Sequence, residues 1–310
     1  MEYRRVGRSG LKVSAISIGG WLTAGGSVEE STFHRVLYTA FERGINFLDL
    51  ADIYARGEAE SVCGRFLKDY PRHQLVISSK CFWPMSEGVN DRGLSRKHIM
   101  ESFEGSLRRL GTDYLDLYFC HRYDEQTPLD ETARAMDDLI RQGKILHWGT
   151  SVWSAQQLQD VYDVSGRYQT YAPIVEQPMY NLHERGIEEE LLPRCRELGM
   201  GAVVWSPLAG GVLTGKYRQD VPKDSRAANT QWLQTWLDDE AQVKNRRFFE
   251  IAEQRGVKPS QLALAWALKR PEVSSVITGA SSAEQLAQNL GALEVDIDDE
   301  LYSRLNTIFS

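Results

Sequence analysis

No stretch of the chain approaches the ~18 consecutive apolar residues that a membrane-spanning helix needs, so no membrane insertion is expected. Met1 is followed by Glu2-Tyr3-Arg4-Arg5, without the apolar core of a secretory leader. The cysteines are few and scattered. Cys63, Cys81, Cys120 and Cys195 form no Cys-x-x-Cys and read as reduced thiols of a cytoplasmic protein. There is no His-Glu-x-x-His, and the six histidines do not stand at ligand spacings, so no metal is expected. Basic blocks are absent beyond pairs such as Arg4-Arg5 and Arg246-Arg247, which read as solvated faces. With a net charge of −7, this argues against nucleic-acid binding. Linkers, low-complexity tracts and strong short-period repeats are also missing. Nor does a Gly-x-Gly-x-x-Gly turn follow the first strand, where the chain has only Gly19-Gly20-Trp21. That counts against a doubly wound dinucleotide fold.

What is present is a rhythm. The 310 residues are 42% hydrophobic and 25% charged, an ordinary globular balance. Residues 3–13 read as a short hairpin turning at Gly7 to Gly10. Short apolar strands are expected at 15–18, 45–49, 75–79, 114–119, 145–149, 173–177, 202–205 and 275–278. Amphipathic helices are expected at 29–43, 58–69, 96–110, 130–142, 154–165, 184–198, 239–269 in two pieces, and 283–291. Ser95 and Ser154 suit helix N-caps. Gly44, Gly111, Gly143 and Gly199 stand where helices should stop. Eight strand–helix units predict one closed (β/α)8 TIM barrel over residues 1–310, with the N-terminal hairpin appended. One gap breaks the rhythm: about 70 residues separate strands seven and eight of the barrel. Its stretch 209–237 is either a lid or disordered.

The active site of such a barrel lies at the C-terminal ends of its strands. Read together, those ends carry Gly20 and Trp21, Asp49 with Tyr54, Lys80, His121, Ser151, Gln177, and Trp205 with Ser206. Lys80 leaves a buried strand. It could snorkel to the rim, pair with Asp49, or serve as a Schiff-base nucleophile. A cation beside Tyr54 would lower the phenol pKa and make it an acid usable near neutral pH. His121 is either a satisfied core histidine or a group that orients a carbonyl oxygen. Gly210 to Lys216 matches most of a phosphate-binding loop, but Tyr217 stands where Mg2+ binding wants Ser or Thr. Such a loop can still cradle a pyrophosphate through backbone N–H groups. Gly279 to Gln285 is a second glycine/serine turn, leading into a helix N-terminus. The two turns, near Arg226, suggest a dinucleotide carrying an extra phosphate. Trp21, Tyr54 and Trp83 are expected to line a substrate pocket, with Trp232 or Trp236 reaching over from the long loop.

The segments Asn46-Phe47-Leu48-Asp49 with Tyr54, Gly93-Leu94-Ser95-Arg96-Lys97-His98-Ile99, Trp148-Gly149-Thr150-Ser151, Trp205-Ser206-Pro207-Leu208-Ala209-Gly210-Gly211 and Gly279-Ala280-Ser281-Ser282-Ala283-Glu284-Gln285-Leu286 resemble the aldo-keto reductase superfamily. The likeness runs along nearly the whole chain. It is nearest to the branch of voltage-gated potassium channel β-subunits and their bacterial reductase relatives. The resemblance implies a catalytic tetrad of Asp49, Tyr54, Lys80 and His121. Tyr54 would donate the proton, Lys80 held by Asp49 would tune it, and His121 would position a small carbonyl substrate. It implies NADP(H) as cofactor. Ser151 and Gln177 would bind the carboxamide and Trp205 would pack on the ring. Ser206, Leu208, Gly210, Lys216 and Arg226 would hold the pyrophosphate and adenosine. Gly279, Ser281, Gln285 and Asn289 would take the adenine ribose and its 2′-phosphate, and Gly20 and Trp21 would floor the substrate side.

The sequence departs from the family pattern at Leu50 (commonly Thr), Val152 (often Asn or Arg), Gln288 (commonly an acid) and Gln285, which is Arg in many NADPH-specific relatives. The channel β-subunits typically carry Asn at the fourth tetrad position, so His121 is the reductase form. Three functions are weighed: an aldehyde and ketone reductase, a cofactor-binding regulatory subunit with little turnover, and a lyase or aldolase using Lys80. The chain begins almost at the fold, so the N-terminal extension of channel-inactivating relatives is expected to be missing. A homo-oligomer is left open.

Overall fold

The computed structural model describes residues 1–218, 227–228 and 230–310; Arg226 and the side chain of Trp232 lie outside the described residues. Strands β1 (Tyr3–Arg5) and β2 (Lys12–Ser14) pair antiparallel as the expected hairpin. Eight parallel strands follow: β3 (Ile16–Gly19), β4 (Phe47–Asp49), β5 (Val76–Cys81), β6 (Leu115–Cys120), β7 (Ile145–Thr150), β8 (Val175–Glu176), β9 (Gly201–Val204) and β10 (Val273–Thr278). They close into a barrel in chain order, β10 pairing with β3 through Thr278 opposite Ile18.

Side chains alternate in and out along each strand. Phe47, Val76, Leu117, Phe119, Val175, Val203 and Ile277 fill the lumen, and Val6 and Val13 of the hairpin segment join that cluster. The hairpin therefore plugs the barrel floor. The outward residues form a larger core against the helix ring. That ring comprises α1 (Glu30–Glu42), α2 (Glu58–Leu67), α3 (Arg96–Leu110), α4 (Leu129–Arg141), α5 (Ala155–Tyr168), α6 (Leu191–Leu198), α7 (Asp239–Gln254), α8 (Pro259–Leu268) and α9 (Ala283–Leu290), followed by α10 (Asp299–Ile308).

Ser95 caps α3 by accepting from His98 N, and Ser154 forms a capping box with Gln157 on α5. Gly111 and Gly199 end α3 and α6 in the left-handed conformation, φ 65° and 76°. Three expectations need correcting. Only 191–198 of the helix expected at 184–198 is α-helical; the first part is a short 3-10 turn, Gly186–Glu188, pinned by the Arg185–Glu188 ion pair. Helix α10 was not anticipated. Arg4 is not simply solvated, since its guanidinium donates to the carbonyls of Leu268 and Val273 at 2.8 and 3.0 Å and ties the hairpin to β10. Among the described residues no helix is long and apolar enough to cross a membrane.

Candidate active site

Strand parity places Asp49, Ser78, Lys80, Phe119 and Gln177 on the luminal side near the C-terminal mouth. Register puts Asp49 opposite Ser78 and Lys80 opposite Phe119. Lys80 is fully buried. Its Nζ donates to Asp49 Oδ2 at 2.8 Å, to the Leu50 carbonyl at 2.6 Å and to the Tyr54 hydroxyl at 3.2 Å. Asp49 in turn accepts at Oδ1 from Ser78 Oγ (2.8 Å) and from Gln177 Nε2 (2.9 Å). A buried carboxylate costs several kcal/mol unless it is paired and hydrogen-bonded; here it meets one cation and two neutral donors. The snorkelling reading of Lys80 is thereby excluded.

Burial opposes the Lys80 ammonium, but Asp49 and Tyr54 together outweigh it and raise its pKa above the usual lysine range. A lysine held charged is a poor amine nucleophile, which counts against Schiff-base chemistry. Tyr54 corrects the expectation of a lowered phenol pKa. Burial raises it, Lys80 and Arg122 pull it back, and Asp49 adds to the rise, so the net shift is upward. The phenol thus stays protonated through the neutral range.

The His121 ring meets the Tyr54 ring edge-on at 5.8 Å and the Trp83 ring at 6.3 Å. Burial, together with the charges of Lys80 and Arg122, drives its pKa well below 6.5, so the imidazole is neutral. Its buried Nδ1 has no hydrogen-bond partner among the described residues. Across the mouth, Trp21 and Trp205 meet edge-on at 6.2 Å. The Ser151 hydroxyl donates to the Gln177 carbonyl at 2.9 Å. Gly20 N–H donates to Asp49 O at 2.9 Å, and a Cβ at Gly20 would lie 2.5 Å from Leu50 Cδ2, so any larger residue there must displace the Leu50 side chain.

Among the described non-glycine residues, Leu22, Ala55, Arg56, Val152, Gln169, Ser206 and Ala209 have positive φ. All but Gln169 lie in loops leaving the C-terminal ends of barrel strands. Such conformations cost ~1–3 kcal/mol each and gather at functional sites. For β-branched Val152, at φ 58°, the conformation is a true outlier. Glu176 holds that turn: it is fully buried, accepts from Thr150 Oγ1 at 2.5 Å and from Trp153 N at 3.2 Å, and burial lifts its pKa to about 7. Sequence reasoning missed Glu176, although a carboxylate inside an otherwise apolar strand is a readable signal. It also missed Ser78 and Arg122.

On the β9 and β10 side, Ser206 and Leu208 precede a 3-10 turn, Ala209–Thr214, in which Gly210 and Gly211 have φ 62° and 100°. The Asn181 side chain anchors this loop by donating to the Ser206 carbonyl at 3.1 Å. Lys216 is exposed, its Nζ 4.8 Å from the Tyr217 ring centroid. At the β10 end, past Gly279, Gln285 Oε1 accepts from Ser281 N (2.7 Å) and Ser281 Oγ (3.1 Å). Asn289 is buried, and its Nδ2 has no partner among the described residues. Trp236 does not reach the mouth; it is buried, stacked on His183 with centroids 5.8 Å apart.

Behind Asp49 and Lys80, on the helix side, Asp52 accepts from Ser102 Oγ at 2.7 Å, and its Oδ1 has no partner among the described residues. Burial lifts its pKa to about 7. A carboxyl whose folded pKa exceeds its unfolded value near 3.9 destabilises the fold increasingly as pH rises to 7, and by a constant amount above it. Asp52→Asn should therefore gain stability over the parent by about 2–3 kcal/mol more at pH 8 than at pH 5. Urea unfolding at the two pH values measures this, and a pH-independent difference would refute it.

The barrel with its Asp49–Lys80–Tyr54 chain and neutral His121 is the architecture of a barrel oxidoreductase. The aldo/keto reductase family profile matches residues 15–309, and the chain belongs to that family. It is 45% identical over 302 residues to a probable voltage-gated potassium channel subunit beta of Oryza sativa subsp. japonica, covering 95% of this chain and 92% of the relative. A protein of the same description from Arabidopsis thaliana is 43% identical over the same length and coverage.

Proposed function

We propose that this chain is an NADPH-dependent reductase of aldehydes and ketones, formed as one cytoplasmic barrel domain. The observation that carries the reading is the buried Lys80, tied at once to Asp49 and to the Tyr54 hydroxyl, beside a neutral His121. Tyr54, protonated at neutral pH, donates a proton to the carbonyl oxygen, and Lys80 stabilises the phenolate left behind. Neutral His121 donates a hydrogen bond that fixes the oxygen within reach of the phenol. The four cysteines, buried and unpaired, fit a reducing compartment.

The residues present fit a dinucleotide. The orphaned Asn289 amide suits an adenine edge, and the α9 N-terminus with Ser281 suits a phosphate. Ser151, Gln177 and Trp205 would hold the nicotinamide end. Gly210 and Lys216 would hold the pyrophosphate. Bound there, the nicotinamide supplies the hydride. Consumption of NADPH with 4-nitrobenzaldehyde tests the reading. NADPH is expected to outperform NADH by about 10-fold or more in kcat/KM, since an unpaired 2′-phosphate contact is worth a charged hydrogen bond. No turnover with either nucleotide would overturn it.

The names of the plant relatives favour one second reading, a cofactor-binding regulatory subunit with little turnover. Co-purification with a membrane channel, together with negligible turnover, would select it.

A further inference from the structure

Arg122 follows His121 at the mouth, and no function considered so far uses it. Its guanidinium centre lies 5.6 Å from the Trp83 ring centroid. Of its five N–H donors, Nη1 is spent on the His121 carbonyl at 2.5 Å. Among the described residues it makes no other hydrogen bond and no ion pair. Glu176 is near enough to be felt, but that carboxylate is taken by Thr150 and the Trp153 N–H. Arg122 is only partly exposed, so it gives up hydration without receiving a counter-ion. Its charge reaches both Tyr54 and His121. Most other partly buried arginines of this chain are matched: Arg72 with Asp116, Arg109 with Glu60, Arg185 and Arg270 with Glu188. Arg122 stands beside Trp83, whose ring also meets His121.

We propose that Arg122 determines specificity by pairing with a carboxylate of the substrate, and that the preferred substrates are short aldehydes or ketones bearing a carboxylate near the carbonyl. This rests on the reductase reading of the same site. With the carbonyl oxygen between Tyr54 and His121, a carboxylate one benzene ring or a few carbons away comes within reach of the guanidinium fork. The substrate's apolar part would lie along Trp83.

The test compares 4-carboxybenzaldehyde with methyl 4-formylbenzoate, which has the same aldehyde and ring without the charge. In the parent protein the acid is expected to be the better substrate. In Arg122→Gln the ratio of kcat/KM for acid over ester should fall about 10–100-fold, the worth of a charged hydrogen bond. Arg122→Lys should recover part of it, since the charge returns without the fork. An unchanged ratio in Arg122→Gln overturns the proposal. A second arm needs no turnover. Benzoate should quench tryptophan fluorescence in the parent, with a Kd at least about 10-fold weaker in Arg122→Gln; an equal Kd also overturns the proposal. Absence of turnover with both aldehydes, alongside Arg122-dependent benzoate binding, would sink the reductase reading and leave the carboxylate site standing.

Discussion

Replacing Tyr54 by Phe is expected to lower carbonyl turnover by about 10²–10⁴-fold, the usual worth of a positioned general acid, while leaving the Kd for NADPH within about twofold. The substitution removes one atom. The ring keeps its edge-on contact with His121 and its place 4.8 Å from the Lys80 ammonium. Lys80 keeps Asp49 and the Leu50 carbonyl, so no buried charge is stranded. The loss therefore falls on the chemical step rather than on folding. Fluorescence titration with NADPH and steady-state rates in both directions separate the two. The parent should also show a pH signature. Because burial raises the phenol pKa above the usual tyrosine range, kcat/KM for reduction should stay level through neutrality and fall only in alkali, whereas alcohol oxidation should rise with pH. Tyr54→Phe should lose both limbs. A variant reducing aldehydes at the parental rate would remove Tyr54 from its role.

The barrel and the placing of the luminal groups were legible because both rest on period. Eight apolar runs, the first seven at near-regular spacing, leave few alternatives to closure. A period of two then decides that Asp49, Lys80 and Gln177 face inward while Ser79 and Glu176 face the helices. Partnerships were less legible. Nothing local to Gln177 says that its amide reaches Asp49, 128 positions away. Glu60 reads as a surface residue at the start of a helix, yet it is buried, accepting from Ser79 Oγ at 2.5 Å and Arg109 Nε at 2.6 Å. The direction of the Tyr54 shift failed for the same reason. A neighbouring cation can be read from sequence, but the depth of burial that outweighs it is a property of the assembled barrel. Helix α10 was passed over although Asp298 caps it by accepting from Leu301 N. Its apolar face covers α7 and becomes meaningful only once the ring is closed.

Asp49→Ala should be the most destabilising single change in the site, by about 3–5 kcal/mol, because it strands a buried cation. Lys80 would keep only the Leu50 carbonyl and the Tyr54 hydroxyl, both neutral, in a fully enclosed position. The loss spreads further, since Ser78 Oγ and Gln177 Nε2 both donate to the deleted carboxylate. Turnover should fall as well, and single variants cannot apportion that fall between lost structure and lost chemistry. The double variant Asp49→Asn/Lys80→Met can. It removes both charges, fills the lysine's volume with an apolar chain, and leaves an amide oxygen for Ser78 and Gln177. Replacing a buried pair in this way is often neutral for stability, so urea unfolding should recover most of the loss. Turnover should not recover, because no cation remains to stabilise the Tyr54 phenolate as the proton leaves. Recovery of both would mean that the pair serves the fold alone; failure of stability to recover would mean that the neutral hydrogen bonds, rather than the charge pairing, carry the energy of this buried cluster.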